Sequence, residues 1–204
     1  MKNNDQEKAL EEAWELFENA ELKKALKLLE KIESTWPGLP DTAYQKALIL
    51  ERSPSQTKEA KHLFDFATKK DPENFPALLE LSENTLRQWA QEAISILTPE
   101  VRNELGNLPI FVEELPPDEE LEDPNDPLSP TTLGLFRGRI LAEDENMSIS
   151  ADPMPPNIVL YRRNIARYCE SKSELRHEVH CTVWHEIGHY FGLEEEDLAK
   201  MGLE

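Results

Sequence analysis

The sequence predicts an α+β fold, in which helical hairpins precede a small sheet that packs on one long helix. Apolar residues recur at helical spacing over residues 6–69. Three short apolar segments then have the composition of β-strands: 109–115, 133–141 and 158–161. A long helical pattern follows them over about residues 173–191. We therefore predict two domains: residues 1–82 with helical repeats, and residues 83–204 with a three- to four-stranded sheet.

The charge of the chain excludes some classes of partner. Its 204 residues include 41 acids and 22 bases, a formal net charge of −19. A phosphate backbone or an anionic membrane surface would be repelled, so we expect no nucleic-acid partner and no membrane association. The first residues lack a secretory apolar segment, and no apolar run is long enough to span a bilayer. A cytoplasmic protein whose two cysteines stay reduced is the expectation.

The N-terminal helices repeat with a period of 35 residues. The positions that match across the period are Ala25 with Ala60, Leu29 with Phe64, Ile32 with Ala67 and Pro37 with Pro72. These small, large apolar and proline positions resemble the second helix of a tetratricopeptide repeat, although Leu48 stands where that family prefers a small residue. Because such stacks usually need about three repeats, residues 75–82 are expected to form a capping helix. The pattern fits both a peptide-binding groove and a plain structural appendage.

The middle of the chain alternates between regular elements and proline-rich connections. An amphipathic helix is predicted from Leu86 to Leu97, with a short helical turn over residues 100–105. Residues 116–130 contain five prolines and six acids, which predicts an exposed, extended loop. The loop could cover the cleft as a lid or fill it as an inhibitory plug, and a plain disordered excursion is the favoured interpretation. Another proline- and acid-rich connection is predicted over residues 142–157, and short helices over 164–169 and 194–201.

The long helix near the C-terminus has a clear start, end and packed face. Ser171 and Glu174 have the spacing of a capping box, and Gly192 is placed to end the helix. Its core-facing residues repeat every four positions: Leu175, Val179, Val183 and Ile187. His185 and His189 lie about 200° from that stripe around the helix axis. Both histidines are therefore expected to face away from the packed side.

Residues 185–189 read His-Glu-Ile-Gly-His, the pattern HExxH. On one helix face, His185 and His189 are close enough to bind one metal ion, and Zn²⁺ is the metal that this donor set favours. Glu186 can then act as general base toward a metal-bound water. The sequence thus predicts a zinc site with Glu186 as its catalytic residue.

A third ligand is expected just beyond the helix. Gly192 permits the positive φ that turns the chain back, so a carboxylate three residues later can reach the metal. Glu195 is the predicted third ligand, and the neighbouring acids stay open as alternatives: Glu194, Glu196 and Asp197. Cys181, one turn before His185, could also supply a thiolate ligand. The favoured interpretation is that its side chain packs beside the site.

These motifs resemble those of the minimal zincin family, small bacterial zinc metallopeptidases with an HExxHxxG motif. The resemblance rests on residues 185–193 with the acids that follow, and on the segments 108–115, 133–138 and 158–163. It covers residues 83–204 and implies a small sheet backed by the helix that carries the histidines. It also implies Glu186 as the base and Glu195 at the third ligand position. The helical repeats are an addition to this minimal unit.

Two functional hypotheses follow. The first is a zinc-dependent metallopeptidase that hydrolyses peptide bonds through a metal-activated water, with the repeats recruiting a peptide or protein substrate or a protein partner. Its substrate is expected to add as a strand to the sheet edge at residues 135–138. Candidates for stabilising the oxyanion are Tyr161, Arg162 and Arg163. The second hypothesis is a non-catalytic interaction module with a structural or vestigial zinc site, which has no need of Glu186.

Overall fold

The structure is a computed structural model. It describes residues 4–124, 127–141 and 155–203. The chain is α+β and divides into two compact units. One unit comprises Met1–Leu78 with Pro116–Thr131, and the other comprises Leu79–Leu115 with Thr132–Glu204. The assignment of residues 1–82 and 83–204 to two functional domains stays a prediction.

Two helical hairpins form most of the first unit. Its helices are α1 (Asn4–Glu18), α2 (Leu22–Thr35), α3 (Pro40–Leu50) and α4 (Thr57–Lys70). Helix α1 packs on α2, α2 on α3, and α3 on α4. The small residues at the repeat positions, Ala25, Ala60 and Ala67, are buried, which lets neighbouring helices approach closely. The classification of these hairpins as tetratricopeptide-like repeats stays a prediction.

The capping helix predicted at residues 75–82 is wrong, because this segment contains no regular secondary structure. Pro76 has no N–H, and it also disfavours the helical conformation of the residue before it. At the other end of the segment, Ser82 is extended and accepts a hydrogen bond from the Thr85 N–H as the N-cap of the next helix. Too few residues are left between these two positions for a stable helix.

The exposed, extended loop predicted at residues 116–130 is also wrong in part. Asp118–Leu121 is a short helix, and the Leu121 side chain is buried in the first unit. The Arg52 guanidinium donates to the Pro116 carbonyl and forms an ion pair of 2.9 Å with Asp118. Four of the acids are exposed as predicted, namely Asp118, Glu119, Glu122 and Asp123, but composition did not reveal these anchors. Residues 125–126 of this segment lie outside the described residues.

A three-stranded mixed sheet lies in the second unit, as predicted. Its strands are β1 (Ile110–Glu113), β2 (Gly134–Arg137) and β3 (Asn157–Tyr161). The central strand, β3, pairs parallel with β1 and antiparallel with β2. Strand β2 is shorter than predicted and is followed by Gly138, whose φ is +114°. Most of the predicted connection 142–157 lies outside the described residues.

The helices of the second unit largely follow their predicted positions. They are α5 (Glu83–Ile96), α6 (Pro99–Leu105), α7 (Arg162–Tyr168), α8 (Lys172–Tyr190) and α9 (Glu195–Lys200). Helix α8 begins with the predicted capping box, and its predicted core stripe is buried. That stripe packs with Ile158 and Leu160 of β3. None of the described helices has both the length and the apolar character that crossing a membrane requires.

Candidate metal centre

Three potential metal ligands converge where α8 ends and α9 begins: His185, His189 and Glu195. The two Nε2 atoms of the histidines lie 2.9 Å apart. The Oε1 atom of Glu195 lies 3.6 Å from Nε2 of His185 and 3.2 Å from Nε2 of His189. Donor atoms that are about 2.0–2.2 Å from a tetrahedral zinc ion lie roughly 3.3–3.6 Å from one another. The three separations are therefore close to what one zinc ion requires.

The tautomers of the two histidines leave both Nε2 lone pairs facing this point. The Nδ1 atom of His185 lies 2.6 Å from the Leu203 carbonyl oxygen, and Nδ1 of His189 lies 3.2 Å from the Leu193 carbonyl oxygen. A carbonyl only accepts, so each Nδ1 carries the hydrogen and donates it. In the neutral imidazoles, two lone pairs and a carboxylate then meet without a donor of their own. A cation at this point would satisfy all three, which is the chemistry of a metal site.

The loop between α8 and α9 is built as the sequence predicts. Gly192 has a φ of +80°. Its N–H donates to the His189 carbonyl, and the Leu193 N–H donates to the Gly188 carbonyl, which together form a Schellman motif. The chain thereby reverses and starts α9 at Glu195. Glu195 is thus the acid that lies beside the histidines, while Asp197 is engaged with Lys200 at 3.2 Å.

Helix α9 packs closely on α8 at Gly188, where the end of a buried leucine side chain occupies the space that a Cβ would take. Leu198 is fully buried, and a Cβ built on Gly188 would lie 2.3 Å from its Cδ2 atom. A glycine inside a helix is ordinarily unfavourable by about 1 kcal/mol relative to alanine. Here it lets α9 approach closely, and this packing holds Glu195 near the histidines.

We expect Gly188→Ala to weaken zinc binding, because the added methyl group pushes Leu198, and with it Glu195, away from α8. The loss of affinity should be about 10- to 100-fold, the range seen when groups that position metal ligands are lost. Zinc affinity is measured by competition with a chromophoric chelator. Leu198→Ala removes the clashing atoms, so adding Gly188→Ala to that variant should change the affinity little. Unchanged affinity in the single variant would contradict the argument.

The Glu186 carboxylate lies at the edge of the sheet. It is almost fully buried, and its Oε2 atom accepts a hydrogen bond of 2.6 Å from the Phe136 N–H of β2. Burial raises the pKa of Glu186 to about 7, while its neighbour His185 and the Phe136 N–H act in the opposite direction. A carboxyl group with a pKa near neutrality can both accept and release a proton, as a general base requires.

Strand β2 approaches α8 closely at Gly134. A Cβ on this residue would lie 2.6 Å from Cγ2 of Thr182 and 3.0 Å from Oε1 of Glu186. Because Gly134 has no side chain, the edge of β2 can lie against the Glu186 carboxylate. A glycine inside a strand often marks a close approach of the backbone to a neighbouring element, and Gly134 does so.

The other predicted candidates have different surroundings. The Cys181 Sγ atom lies 3.5 Å from Nε2 of His177, and burial, followed by the charge of Glu178, raises the pKa of its thiol. The candidates for oxyanion stabilisation are engaged elsewhere. Tyr161 is fully buried in β3. Arg162 and Arg163 form ion pairs with Glu114 at 2.6 Å and 3.0 Å.

Sequence reasoning missed the backbone groups that position the candidate residues. The carbonyls of Leu193 and Leu203 and the N–H of Phe136 leave no signature, because every residue other than proline has both groups. The Gly188–Leu198 contact did leave one signal, a glycine inside a strong helical pattern.

The chain was compared with known proteins. No curated protein matches it. A family model does match, over a region that contains β1–β3, α7–α9 and every residue of the candidate centre. Residues 105–203 match the model of the family described as zincin-like metallopeptidase.

Proposed function

We propose that this protein is a zinc-dependent metallopeptidase that hydrolyses peptide bonds, with His185, His189 and Glu195 as the zinc ligands. The observation that carries the proposal is the convergence of three hydrogen-bond acceptors with no donor among them, next to a buried carboxylate. The match of residues 105–203 to a zincin-like metallopeptidase family supports it. The alternative, a non-catalytic module with a structural or vestigial site, is not favoured, because such a site has no need of Glu186.

The residues present fit zinc in number and in donor type. Two imidazole nitrogens and one carboxylate are the ligand set of many catalytic zinc sites, which leave a fourth position open. When bound, zinc lowers the pKa of a water molecule and polarises the carbonyl of the peptide. The side chains of the histidines are held ready for this by the Leu193 and Leu203 carbonyls.

Glu186 is the proposed general base. Its carboxylate takes a proton from the attacking water, and as a carboxylic acid it then donates that proton to the leaving amine. The Phe136 N–H keeps one carboxylate oxygen in place during both steps. Because zinc would add positive charge beside it, we expect the pKa of Glu186 to fall below its metal-free value when the ion binds.

The substrate is proposed to bind along β2, an outer strand of the sheet. The Tyr161 N–H donates to the Leu133 carbonyl, so alternate residues starting at Leu133 face β3. Gly134 and Phe136 therefore direct their backbone groups toward the open edge, where the Phe136 N–H is already bonded to Glu186 and the other groups are left for a substrate. An extended peptide can form main-chain hydrogen bonds there, beside Glu186.

The helical unit is proposed to recruit the protein substrate or a protein partner, as its predicted repeats suggest. A groove of about 550 Å³ lies on α1 and α3, lined by Trp14 and by acids that include Glu11 and Glu15. Reversing both charges with lysine in the full chain should impair cleavage of a protein substrate but not of short peptides. The same double change at the exposed Glu30 and Glu59, neither of which lines the groove, serves as control.

A cytoplasmic location and the absence of nucleic-acid partners stay predictions.

Zinc content and hydrolysis test the proposed function together. Protein purified without chelators should contain about one zinc ion per chain by elemental analysis. It should also cleave members of a random peptide library, detected by mass spectrometry. A chelator should abolish cleavage, and added zinc should restore it. A protein that neither contains nor binds zinc would overturn the proposal, whereas bound zinc without any cleavage would favour the non-catalytic module.

A further inference from the structure

A cavity of about 180 Å³ lies directly beside the candidate metal centre, between the start of β2, helix α8 and Leu203. His185 and Glu186 form one side of it. The remaining lining residues are Thr132, Leu133, Gly134, Glu178, Cys181, Thr182 and Leu203. Pockets for drug-sized ligands have volumes of about 300–1,000 Å³. This smaller cavity has the size for a single side chain of a bound peptide.

Glu178 lies at the far side of this cavity from the proposed chemistry. Glu178, Thr182 and Glu186 follow each other at four-residue spacing, so they share one face of α8. The Thr182 hydroxyl donates to Oε1 of Glu178 over 3.3 Å, which orients the carboxylate. At 1.5 Å of rise per residue, Glu178 is about 12 Å from Glu186 along the helix. This backbone separation overstates the gap, because the hydrogen bond from Thr182 draws the Glu178 carboxylate back toward Glu186 by about one helical turn. A long side chain of a residue beside the scissile bond can therefore reach it.

No lysine or arginine of the described chain forms an ion pair with Glu178. Among the described side chains, the exposed His177 imidazole is the one whose charge lowers the pKa of Glu178, and the Glu178 side chain is about half-buried. Burial raises the pKa of Glu178, which shows that its surroundings disfavour an unpaired charge. Cys181 adds no charge, because the pKa of its thiol is raised as well. Besides the proposed base Glu186, the cavity therefore presents one oriented carboxylate that a cation would complement.

We propose that Glu178 recognises a basic side chain of the substrate, that of lysine or arginine, at a residue flanking the scissile bond. The inference rests on the proposed peptidase function and names its substrate class. Methylene groups of the basic side chain would pack on Leu133 and Leu203, while its charged end meets Glu178. The net charge of −19 favours the approach of basic peptides in addition.

Paired peptides test this specificity in the zinc-loaded full chain. The peptides have ten residues of alanine and glycine, and one lysine, arginine, norleucine or glutamate is placed at each position in turn. The assays contain about 0.15 M salt, which screens long-range attraction between the protein and the peptides. We expect kcat/KM for lysine to exceed that for norleucine about tenfold or more at one flanking position, since a hydrogen-bonded charge pair is worth that factor. Lysine at the far end of the same peptide should give no such gain.

Variants assign the preference to Glu178. Glu178→Gln should reduce the lysine-to-norleucine ratio to near one, and Glu178→Lys should favour the glutamate peptide. Glu104→Gln is the matched control, because it removes one exposed acid that does not line the cavity. Its ratio should equal that of the unmodified protein. A ratio that survives Glu178→Gln, or that falls equally in the control, would overturn the inference.

A binding measurement separates this inference from the proposed function. In the Glu186→Gln variant, the dissociation constants of the fluorescein-labelled lysine and norleucine peptides are compared by fluorescence anisotropy. Tighter binding of the lysine peptide that disappears on adding Glu178→Gln supports the inference, even if the unmodified protein cleaves no peptide. Equal affinities with Glu178 intact would overturn it, even if the protein proves to be a peptidase.

Discussion

Glu186→Gln is expected to abolish peptide hydrolysis while the protein keeps its zinc. Glutamine has nearly the same shape and can still accept the hydrogen bond of the Phe136 N–H, but it cannot take a proton from water. Loss of a general base typically lowers the rate about 10²- to 10⁴-fold. The measurements are kcat on a peptide that the unmodified protein cleaves, and zinc per chain by elemental analysis.

The control for this variant is Glu196→Gln, which removes a nearby exposed acid of α9 without touching the proposed base. Its kcat and zinc content should match those of the unmodified protein. If Glu186→Gln retains full activity, the residue is not the base. If the Glu186→Gln variant loses zinc as well, the Glu186 carboxylate is needed for metal binding, and the loss of hydrolysis does not show a role in proton transfer. Either result would contradict the proposed mechanism.

His189→Ala is expected to lose zinc and, with it, all hydrolysis. The substitution leaves one imidazole and one exposed carboxylate, too few ligands for a stable zinc site. The loss of affinity should exceed the roughly 100-fold that removal of a positioning group causes. Competition with a chromophoric chelator measures the affinity, and circular dichroism shows whether the helices are retained.

His177→Ala is the matched control, since His177 is an exposed histidine on the same helix but outside the three-residue cluster. It should bind zinc as the unmodified protein does. Zinc binding that persists in His189→Ala, or that is lost in His177→Ala, would place the metal elsewhere. The same assay on Glu195→Gln, with Glu194→Gln beside it, tests the predicted third ligand.

The elements that the sequence predicted well are those with local causes. Helix α8 combines a capping box, a four-residue apolar repeat and a glycine stop, and each acts within a few residues. The three strands are short apolar segments bounded by prolines and glycines, and their sheet was predicted for the same reason. Periodicity alone also placed the two histidines off the packed face of α8.

The two structural errors arose where composition suggested one state and specific contacts decided another. At residues 75–82 the apolar residues suggested a helix, but Pro76 and the extended Ser82 prevent one. At residues 116–130 the prolines and acids suggested a plain loop. The Arg52 guanidinium and the burial of Leu121 order part of it, and neither contact is visible in a local pattern.

The sequence by itself determined which side chains face the candidate metal centre, because the spacing of His185, Glu186 and His189 on a helix leaves little freedom. Only the tertiary structure decided how they are held. The carbonyls of Leu193 and Leu203 and the N–H of Phe136 come from segments that meet through folding. Backbone groups are the same in nearly every residue, so no sequence pattern identifies the ones that act. The cavity at Glu178 likewise exists only because β2, α8 and Leu203 come together.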